Sequence, residues 1–567
     1  MSRFGRLLLS TLALSLMLTL MVGITIAQDE TVLVIGMEQE APNLRPLNNL
    51  VFGGLPEGLY ARDLWDWDVN REIFPIMAES IPTFDNGGAV LTADGDTAVT
   101  VTLAEGLLWS DGTPITTADC ALWHRVRTDV TTSDSVARGS YPDVVKSFDI
   151  VDDRTFTVTY IGSYPDYLVV NEKPECRYPA HIWEPILENG GKLEDSTYFT
   201  GGQEIVGYGP YRLAEWRIGE GMTFEANPNW QGTAPAFSRV ITRLIPDSTQ
   251  MRNALEAGEI DIAHNWSDNL QSDYAAIEGV ETFNVPAVFA DALWIRMGEN
   301  GNSDENGGTA LQDPLVRQAI VHAIDRITLA EQLVGPGIIV PKTWYPSQLW
   351  PEDLQFLEYN VEGAVALLTE AGWTDSNGDG TVDKEGMELA NLRLVSTENE
   401  LRNNYQLVIQ EYLSAVGIGT EIQIIPATTL FGSFADRGTL TTYAWDLAIF
   451  ANSAQALAPV SDANSYYCSG IPSAENPDGF NPWQFCDARY DEVDTLIAGT
   501  LNGPERDALV QEAVTLFTEA NFWNGLRLRA TWWALNASVV DVASVQSSLG
   551  TLSINWFNQI ENWQPAS

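Results

Sequence analysis

The stretch that most constrains the fold is residues 206–230, VGYGPYRLAEWRIGEGMTFEANPNW. Gly207 and Gly209 permit a tight backbone path just before alternating apolar and polar residues begin at Tyr211. The Gly-Glu-Gly sequence at 219–221 lets the chain reverse, and a second alternating run follows it. An Asn-Pro pair then ends the run, because proline has no amide to donate to a ladder. The stretch therefore predicts a β-hairpin.

Length and charge restrict the class of protein. A chain of 567 residues with 45% hydrophobic residues and a mean hydropathy of −0.08 is globular, and it is long enough for two or three lobes. Its formal net charge is −47, from 30 basic and 77 acidic residues. Such a surface repels phosphate backbones, so we expect no nucleic-acid partner.

Residues 1–27 have the pattern of a secretory signal peptide. Arg3 and Arg6 form a basic start, residues 7–26 are apolar, and Ala27 precedes polar residues at a suitable cleavage point. The apolar run is also long enough for an uncleaved anchor. No cysteine is near this point, so we expect no lipid anchor and a periplasmic or extracellular protein. Cleavage would take the net charge from −47 to −49.

Four cysteines allow three disulfide pairings. We predict Cys468–Cys486, since both lie in one loop rich in proline and glycine, and Cys120–Cys176. Both bonds suit an oxidising compartment, and four buried free thiols are the alternative.

Several further elements can be read from local patterns. Alternation predicts a strand at Thr155–Tyr160, and a short apolar run predicts another at Ala292–Met297. Asp313 followed by proline is typical of a helix start, and Thr117 or Asp119 is expected to cap an earlier helix.

Four more motifs follow a recognisable order. They are Trp-Ser-Asp-Gly-x-Pro at 109–114, Ala-Leu-x-x-Gly-Glu-Ile-Asp at 254–261, Val-Arg-x-Ala-Ile-x-x-Ala-Ile-Asp-Arg at 316–326, and a helix start at 504–506 after Asp491 and Asp494. Together with the Gly-x-Gly-Pro-Tyr hairpin, they resemble the extracellular solute-binding proteins of family 5. These are the peptide, nickel and oligosaccharide receptors of ABC importers.

The resemblance implies an α/β, two-lobed periplasmic-binding-protein-like fold of type II, in the large three-subdomain class, with a hinged ligand cleft. We expect a first lobe at 28–288 with an inserted subdomain at about 75–200, a second lobe at 289–526, and a return to the first lobe at 527–567. Closure of the lobes around a solute would create the surface that a membrane permease recognises.

Candidate ligand-binding residues lie at or just after the ends of predicted strands, and ligands gather at the carboxyl ends of strands in open α/β sheets. Tryptophan offers a flat apolar face and one donor, which suits sugar rings or peptide side chains. The alternatives are turn formation and solvation for the first two candidates and core packing for the tryptophans. The candidates are Glu38, Asn43, Asn265, Trp266, Trp294, Trp445, Asn452 and Trp483.

The loop after the predicted strand 445–450 bears on the ligand. Peptide-binding members of the family commonly place an aspartate there against the peptide's α-ammonium, but residues 451–459 contain no acid. The uncharged Asn452 beside tryptophans suits an oligosaccharide, whereas Glu38 could supply the missing charge for a peptide. We expect an oligopeptide-like solute, with an oligosaccharide as the alternative.

Residues 372–386 imitate a calcium-binding loop. Asp375, Asn377, Asp379 and Asp383 surround Gly380, but glycine occupies the position of the final bidentate glutamate. The alternatives are a structural Ca²⁺ and a plain acidic turn, and no other cofactor is expected.

We found no catalytic signature in the sequence. It has no Gly-x-Ser-x-Gly elbow, phosphate-binding loop, His-Glu-x-x-His or dinucleotide fingerprint. We therefore expect a monomeric binding protein with permease partners and no enzymatic activity. A secreted hydrolase with two carboxylates is the remaining alternative.

Overall fold

The structure is a computed structural model of the chain. It describes residues 31–40, 43–44, 56–68, 72–134, 136, 138, 141–168, 173–200, 205–265, 271–298, 308–335, 338–434, 436–453, 466–477, 479–549, 557 and 559–567. The predicted signal peptide lies outside the described residues.

Eighteen strands are present in the described ranges. They are β1 Val32–Met37, β2 Trp65–Trp67, β3 Ile73–Pro75, β4 Ala89–Leu91, β5 Thr97–Thr102, β6 Val145–Ile150, β7 Thr155–Tyr160, β8 Tyr211–Arg217, β9 Gly221–Ala226, β10 Arg239–Leu244, β11 Ile262–Asn265, β12 Val280–Ile295, β13 Asp383–Lys384, β14 Met387–Glu388, β15 Leu392–Ser396, β16 Thr420–Ile424, β17 Leu447–Ser453 and β18 Trp523–Asn536.

The helices of the same ranges are α1 Glu57–Tyr60, α2 Thr117–Thr128, α3 Tyr141–Val144, α4 Ala180–Glu188, α5 Thr197–Thr200, α6 Ser248–Glu256, α7 Gln271–Ala275, α8 Pro314–Ala323, α9 Arg326–Leu333, α10 Val361–Glu370, α11 Glu400–Ser414, α12 Ala427–Leu430, α13 Ala488–Gly499, α14 Pro504–Glu519 and α15 Val542–Ser548. None of these helices is both long enough and apolar enough to cross a membrane.

One ten-stranded sheet runs through the molecule in the order β16-β15-β17-β12-β18-β11-β1-β10-β9-β8. Strand β1 pairs in parallel with β10 and β11, and β15 pairs in parallel with β16 and β17. The long strands β12 and β18 are antiparallel and join these two halves. A separate sheet has the order β4-β5-β7-β6.

The apolar cores separate in the same way. Lobe I, as we define it, contains β1 and β8–β11, and the four-stranded sheet adds its own core around Trp65 and Trp109. Lobe II contains β15–β17 and two cores, one on each face of its part of the sheet. Among the described strands, β12 and β18 are the two that connect the halves of the large sheet.

The crossing strand is longer than its sequence pattern indicates. The apolar run predicted a strand at Ala292–Met297, whereas β12 begins at Val280 and extends over 16 residues. Its first part includes Pro286 and several polar residues, so it lacks a strong alternating signal. It is extended because β18 pairs with it, with register shifts between Pro286 and Ala290 and between Asp291 and Ala292.

The predicted hairpin is confirmed as β8 and β9, which pair from Tyr211 with Ala226 to Arg217 with Gly221. Its leading glycines allow close approach to another segment of backbone. A Cβ on Gly207 would lie 2.1 Å from the carbonyl oxygen of Tyr60, and one on Gly209 would lie 2.6 Å from that of Leu59. Only glycine fits there, which explains the Gly-x-Gly part of the motif.

The structure contains the two predicted disulfide bonds. Cys120 at the start of α2 is joined to Cys176, and Cys468 is joined to Cys486. The first bond lies in the core of the four-stranded sheet, and the second closes a surface loop of lobe II.

Helix starts follow local chemistry to within a residue. The side chain of Thr116, rather than Thr117 or Asp119, caps α2, because Asp119 instead completes the capping box. Asp313 caps α8 as predicted, and its carboxylate accepts a hydrogen bond from the amide of Leu315 at 2.9 Å.

Replacement of Asp313 should weaken the start of α8. We expect Asp313→Ala to lower the free energy of unfolding by about 1 kcal/mol, since an orphan amide loses its acceptor. Asp313→Asn retains an acceptor and is the control, with an expected change close to zero. Urea unfolding of both variants measures the difference, and equal losses would contradict a capping role.

Candidate ligand-binding site

A cavity of about 340 Å³ lies in lobe II at the carboxyl end of β17. Its walls come from β17, from the turn before that strand, from the loop closed by the second disulfide, and from three aromatic residues elsewhere. The lining residues are Trp344, Phe431, Leu440, Thr441, Phe450, Ala451, Asn452, Tyr466, Phe480, Pro482 and Trp483.

Stacked aromatic rings build the inner wall. Trp294 lies between Trp483, with ring centroids 4.3 Å apart, and Phe450, with centroids 5.1 Å apart. Tyr466 contacts Trp483 at 5.6 Å on the cavity side. Because such offset stacks resist rearrangement, the wall is preformed and presents flat apolar surface to a solute.

The outer wall is a loop of fixed shape. The Cys468–Cys486 bond joins its ends, and it carries Phe480 and Trp483. Within it, the buried side-chain amide of Asn481 donates hydrogen bonds to the carbonyl oxygens of Tyr467 and Phe485 at 2.8 and 2.7 Å. The loop therefore presents Phe480 at the rim, where 63% of its surface is exposed.

Polar groups in the cavity are few and uncharged. The side-chain carbonyl of Asn452 accepts a hydrogen bond from Trp523 Nε1 at 3.3 Å. The Thr441 hydroxyl donates to the carbonyl oxygens of Gly432 and Gly438. The lining residues include no charged side chain, so the cavity itself suits an apolar or aromatic group of a solute.

Two of the predicted tryptophans lie in the core instead of lining this cavity. Trp294 and Trp445 have no exposed surface. The indole nitrogen of Trp445 donates to the carbonyl oxygen of Leu440 at 3.1 Å, and the two rings support the wall from behind. Of the predicted residues, Asn452 and Trp483 line the cavity.

The other predicted residues belong to lobe I. Glu38 and Asn43 follow β1 and are partly buried, and neither lines the lobe II cavity. Asn265 is the last residue of β11 rather than the first residue beyond it. The side chain of Asn265 and the whole of Trp266 lie outside the described part of the chain.

The predicted calcium loop is closed by its own amides. One carboxylate oxygen of Asp375 accepts from the amide of Gly378 at 2.7 Å, and the other accepts from Gly380 at 3.0 Å. Asn377 accepts from Asp379, whose carboxylate in turn accepts from Thr381, and Asp383 accepts from Ser376. In the described ranges, no group of three or more histidine, cysteine or carboxylate side chains is arranged to hold a metal ion. Calcium binding by this loop stays a prediction.

Several cavity residues have no strong signal in the sequence. Trp344, Phe431, Tyr466 and Phe480 come from three separate segments, and only the fold brings them together. Phe480 offers one clue, because an aromatic residue in a short Gly/Pro-rich loop between two cysteines has little core to enter.

Residues 72–473 match the family described as "Bacterial extracellular solute-binding proteins, family 5 Middle". The chain belongs to this family. Members of family 5 are extracytoplasmic binding proteins of ABC transporters, which are not enzymes. The oligopeptide-binding protein AppA of Bacillus subtilis is 26% identical over 404 residues, which cover 67% of this chain and 70% of AppA.

Solved structures of family 5 proteins share the fold. NikZ from Campylobacter jejuni in complex with Ni(L-His) superposes with a TM-score of 0.68 at 21% identity, covering 94% of this chain and 99% of NikZ. Bacillus subtilis AppA in complex with a nonapeptide gives a TM-score of 0.64 at 21% identity, with the same coverage. The predicted two-lobed α/β fold of family 5 is thereby confirmed.

Proposed function

We propose that this family 5 protein is the extracytoplasmic receptor of an ABC importer and captures an oligopeptide-like solute by lobe closure. The observation that carries the proposal is the preformed aromatic cavity at the end of β17. Its volume of about 340 Å³ is too small for a whole peptide but accommodates one or two apolar side chains. The similarity to oligopeptide-binding AppA supports a peptide as the solute.

Strand geometry supports the same reading. β17 ends at the cavity, and Phe450, Ala451 and Asn452 contribute to the lining. An extended peptide lying beside such a strand end can form main-chain hydrogen bonds while a side chain enters the cavity. Capture and release of this kind involve no covalent step, so we propose a binding protein and no enzyme. Its partners would be the permease subunits, with the receptor itself a monomer.

An oligosaccharide is the second candidate. Trp344 and Trp483 offer apolar ring faces, and Thr441 and Asn452 are uncharged polar neighbours, a combination that also suits sugar rings. A thermal-shift screen of residues 28–567 against tri- to pentapeptides, oligosaccharides and Ni(L-His) separates the candidates, since a ligand that binds only the folded state raises the melting temperature. Shifts with sugars alone would overturn the peptide proposal.

Substitution of Phe480 tests the role of the cavity in ligand binding without changing a buried residue. Because its ring is largely exposed in the free protein and lies at the rim, a bound solute would cover it. We expect Phe480→Ala to weaken the best peptide of the screen by roughly 5- to 30-fold through lost apolar contact. The free energy of unfolding should change by less than about 0.5 kcal/mol.

Tyr359→Ala is the matched control for the rim variant. Tyr359 is an exposed aromatic residue, 47% accessible, that contacts Tyr412 edge-to-face and does not line the cavity. Isothermal titration calorimetry should give the control a wild-type affinity. Equal affinities for Phe480→Ala and the wild type would show that the solute binds elsewhere.

A further inference from the structure

A group of arginines surrounds Asp291 at the junction of the lobes. Asp291 lies in β12 between its two register shifts, where the strand passes from lobe I to lobe II. In the sheet it is paired with Arg527 on one side and with Ala451 on the other. Ala451 lines the aromatic cavity, but Asp291 and Ala451 share the sheet face of Ile449, whereas the ring of Phe450 is on the other face. The arginine group therefore lies at the same end of the lobe II sheet as the cavity, on the opposite face.

Three guanidinium groups donate to this one carboxylate. Nε of Arg402 lies 3.1 Å from one oxygen, and Nε of Arg527 lies 2.9 Å from the other. Arg529 donates to both oxygens at 3.3 Å. The aspartate side chain is 1% exposed and those of Arg402 and Arg527 are 14% and 10% exposed, whereas Arg529 is 32% exposed.

Positive charges outnumber negative charges around Asp291 even when Arg527 is left out of the comparison. Arg402 and Arg529 share Asp291, and in the described part of the chain neither forms an ion pair with a second carboxylate. Burial and the neighbouring Arg529 charge lower the pKa of Arg527 to about 10. A local cationic surplus in a protein of net charge −47 requires a reason, because clustered guanidinium groups repel one another.

A buried hydroxyl group belongs to the same helix as Arg402. Tyr405 has no exposed surface, and its hydroxyl has no hydrogen-bond partner among the described residues. Burial raises its pKa, and the Asp291 charge adds to the rise. Tyr405 and Arg402 are three residues apart in the first turns of α11, so they share one helix face at its positive end.

We propose that Arg529 and Arg402, with the Tyr405 hydroxyl, receive a carboxylate of the transported solute. A guanidinium has five N–H donors, and the bonds to Asp291 use two of those on Arg529, which leaves donors for a second carboxylate. Asp291 holds the arginines in place, and the ligand supplies the second negative charge. The cavity on one face of the sheet thus selects an apolar group, and the arginines on the other face select an acidic group of a solute that lies across the strand ends.

This inference deepens the proposed function and rests on it for the identity of the solute as a peptide. The carboxylate could be the C-terminus of a peptide or an acidic side chain. The test uses residues 28–567 with tri- to pentapeptides, their C-terminal amides, and versions with Glu replaced by Gln. Succinate and citrate are included as carboxylates that are not peptides.

We expect Arg529→Gln to weaken carboxylate-bearing probes by roughly 10- to 100-fold, because charge-assisted hydrogen bonds are lost. Arg529→Lys keeps the positive charge but lacks the planar guanidinium, so its affinity for these probes should lie between those of the wild type and Arg529→Gln. Arg393→Gln is the matched control, since Arg393 also shares a buried aspartate, Asp446, with a second arginine but lies at the start of β15. Urea unfolding verifies that each variant is folded.

The outcomes separate the two proposals. If amidation of a peptide weakens its binding to the wild type but not to Arg529→Gln, the C-terminal carboxylate is the bound group. If replacement of Glu by Gln in the peptide weakens binding to the wild type but not to Arg529→Gln, the bound group is an acidic side chain. If only succinate or citrate binds and Arg529→Gln loses it, the carboxylate site stands and the peptide function is wrong. Three results would overturn the inference. The wild type and Arg529→Gln could bind carboxylates with equal affinity, only uncharged solutes could bind, or neither set of carboxylates could bind.

Discussion

Asp446→Asn should be among the most destabilising single substitutions in lobe II, with an expected loss of about 3–5 kcal/mol in the free energy of unfolding. Asp446 is fully buried and accepts hydrogen bonds from Arg296 Nη2 and Arg393 Nε, both at 2.8 Å. Arg296 has no exposed surface either. An amide in place of the carboxylate leaves two guanidinium charges without this anion, and one of them is completely desolvated.

At acid pH, the difference in the free energy of unfolding between the wild type and Asp446→Asn should become smaller. Burial alone would raise the pKa of the Asp446 carboxyl, but the hydrogen bonds and charges of Arg393 and Arg296 outweigh burial and lower it. A carboxyl whose pKa is lower in the folded state stabilises above its unfolded pKa, about 3.9, and this contribution is lost as pH falls through the folded value. Urea unfolding at pH 7 and below pH 4 measures both effects.

Asp134→Asn is the control for Asp446→Asn. Asp134 pairs with Lys192, and its side chain is 71% exposed. Solvent screening limits such a pair to about 1 kcal/mol or less. A loss of under about 1 kcal/mol for Asp446→Asn as well would show that the buried arginines do not depend on this carboxylate.

Loss of the ion pair between Arg506 and Asp166 should favour an open arrangement of the two lobes. Asp166 follows β7 in the four-stranded sheet of the first half, and Arg506 is in α14, which packs in a lobe II core. Arg506 Nη2 lies 2.8 and 2.7 Å from the two carboxylate oxygens of Asp166. The side chains are 7% and 16% exposed, so the pair is largely desolvated when the lobes are together.

Removal of one partner should act on the closed form. Burial raises the pKa of Asp166 despite the Arg506 charge, because the carboxylate is largely removed from water where the two halves meet. In Arg506→Met this carboxylate would be buried without its partner, whereas opening would let water reach it. We expect affinity for the best peptide to fall on the order of 100-fold and the radius of gyration from small-angle X-ray scattering to rise.

The double variant Arg506→Met/Asp166→Leu is the control for the interlobe pair. It removes both charges and replaces them with apolar side chains, a change that is often neutral for buried pairs. We expect it to recover most of the affinity and the compact form. A double variant as weak as Arg506→Met would contradict the electrostatic explanation, as would wild-type behaviour of Arg506→Met.

Local patterns predicted the elements that local chemistry controls. The strand Thr155–Tyr160 is observed with the predicted bounds, because its alternating residues fit a half-buried strand. Asp313 and the following proline set the start of α8, since both act within one turn. The full length of β12 could not be predicted, because its first half is extended by pairing with β18 across more than 230 residues of chain.

The candidate site was less accessible to sequence reasoning. The tryptophans at predicted strand ends were equivalent in sequence, yet Trp294 and Trp445 are covered while Trp483 lines the cavity. Burial depends on which other segments pack against a ring, and those segments are distant in the chain. The arginines around Asp291 were not singled out for the same reason, as Arg402 and Arg529 are 127 positions apart.

The sequence by itself determined the family, the hairpin and the start of α8, because each depends on residues that are close in the chain or on motifs in a set order. Tertiary structure alone decided which aromatic rings form a cavity and which charges meet at Asp291 and Asp446. Those outcomes depend on packing and on desolvation, and both are properties of segments brought together from distant parts of the chain.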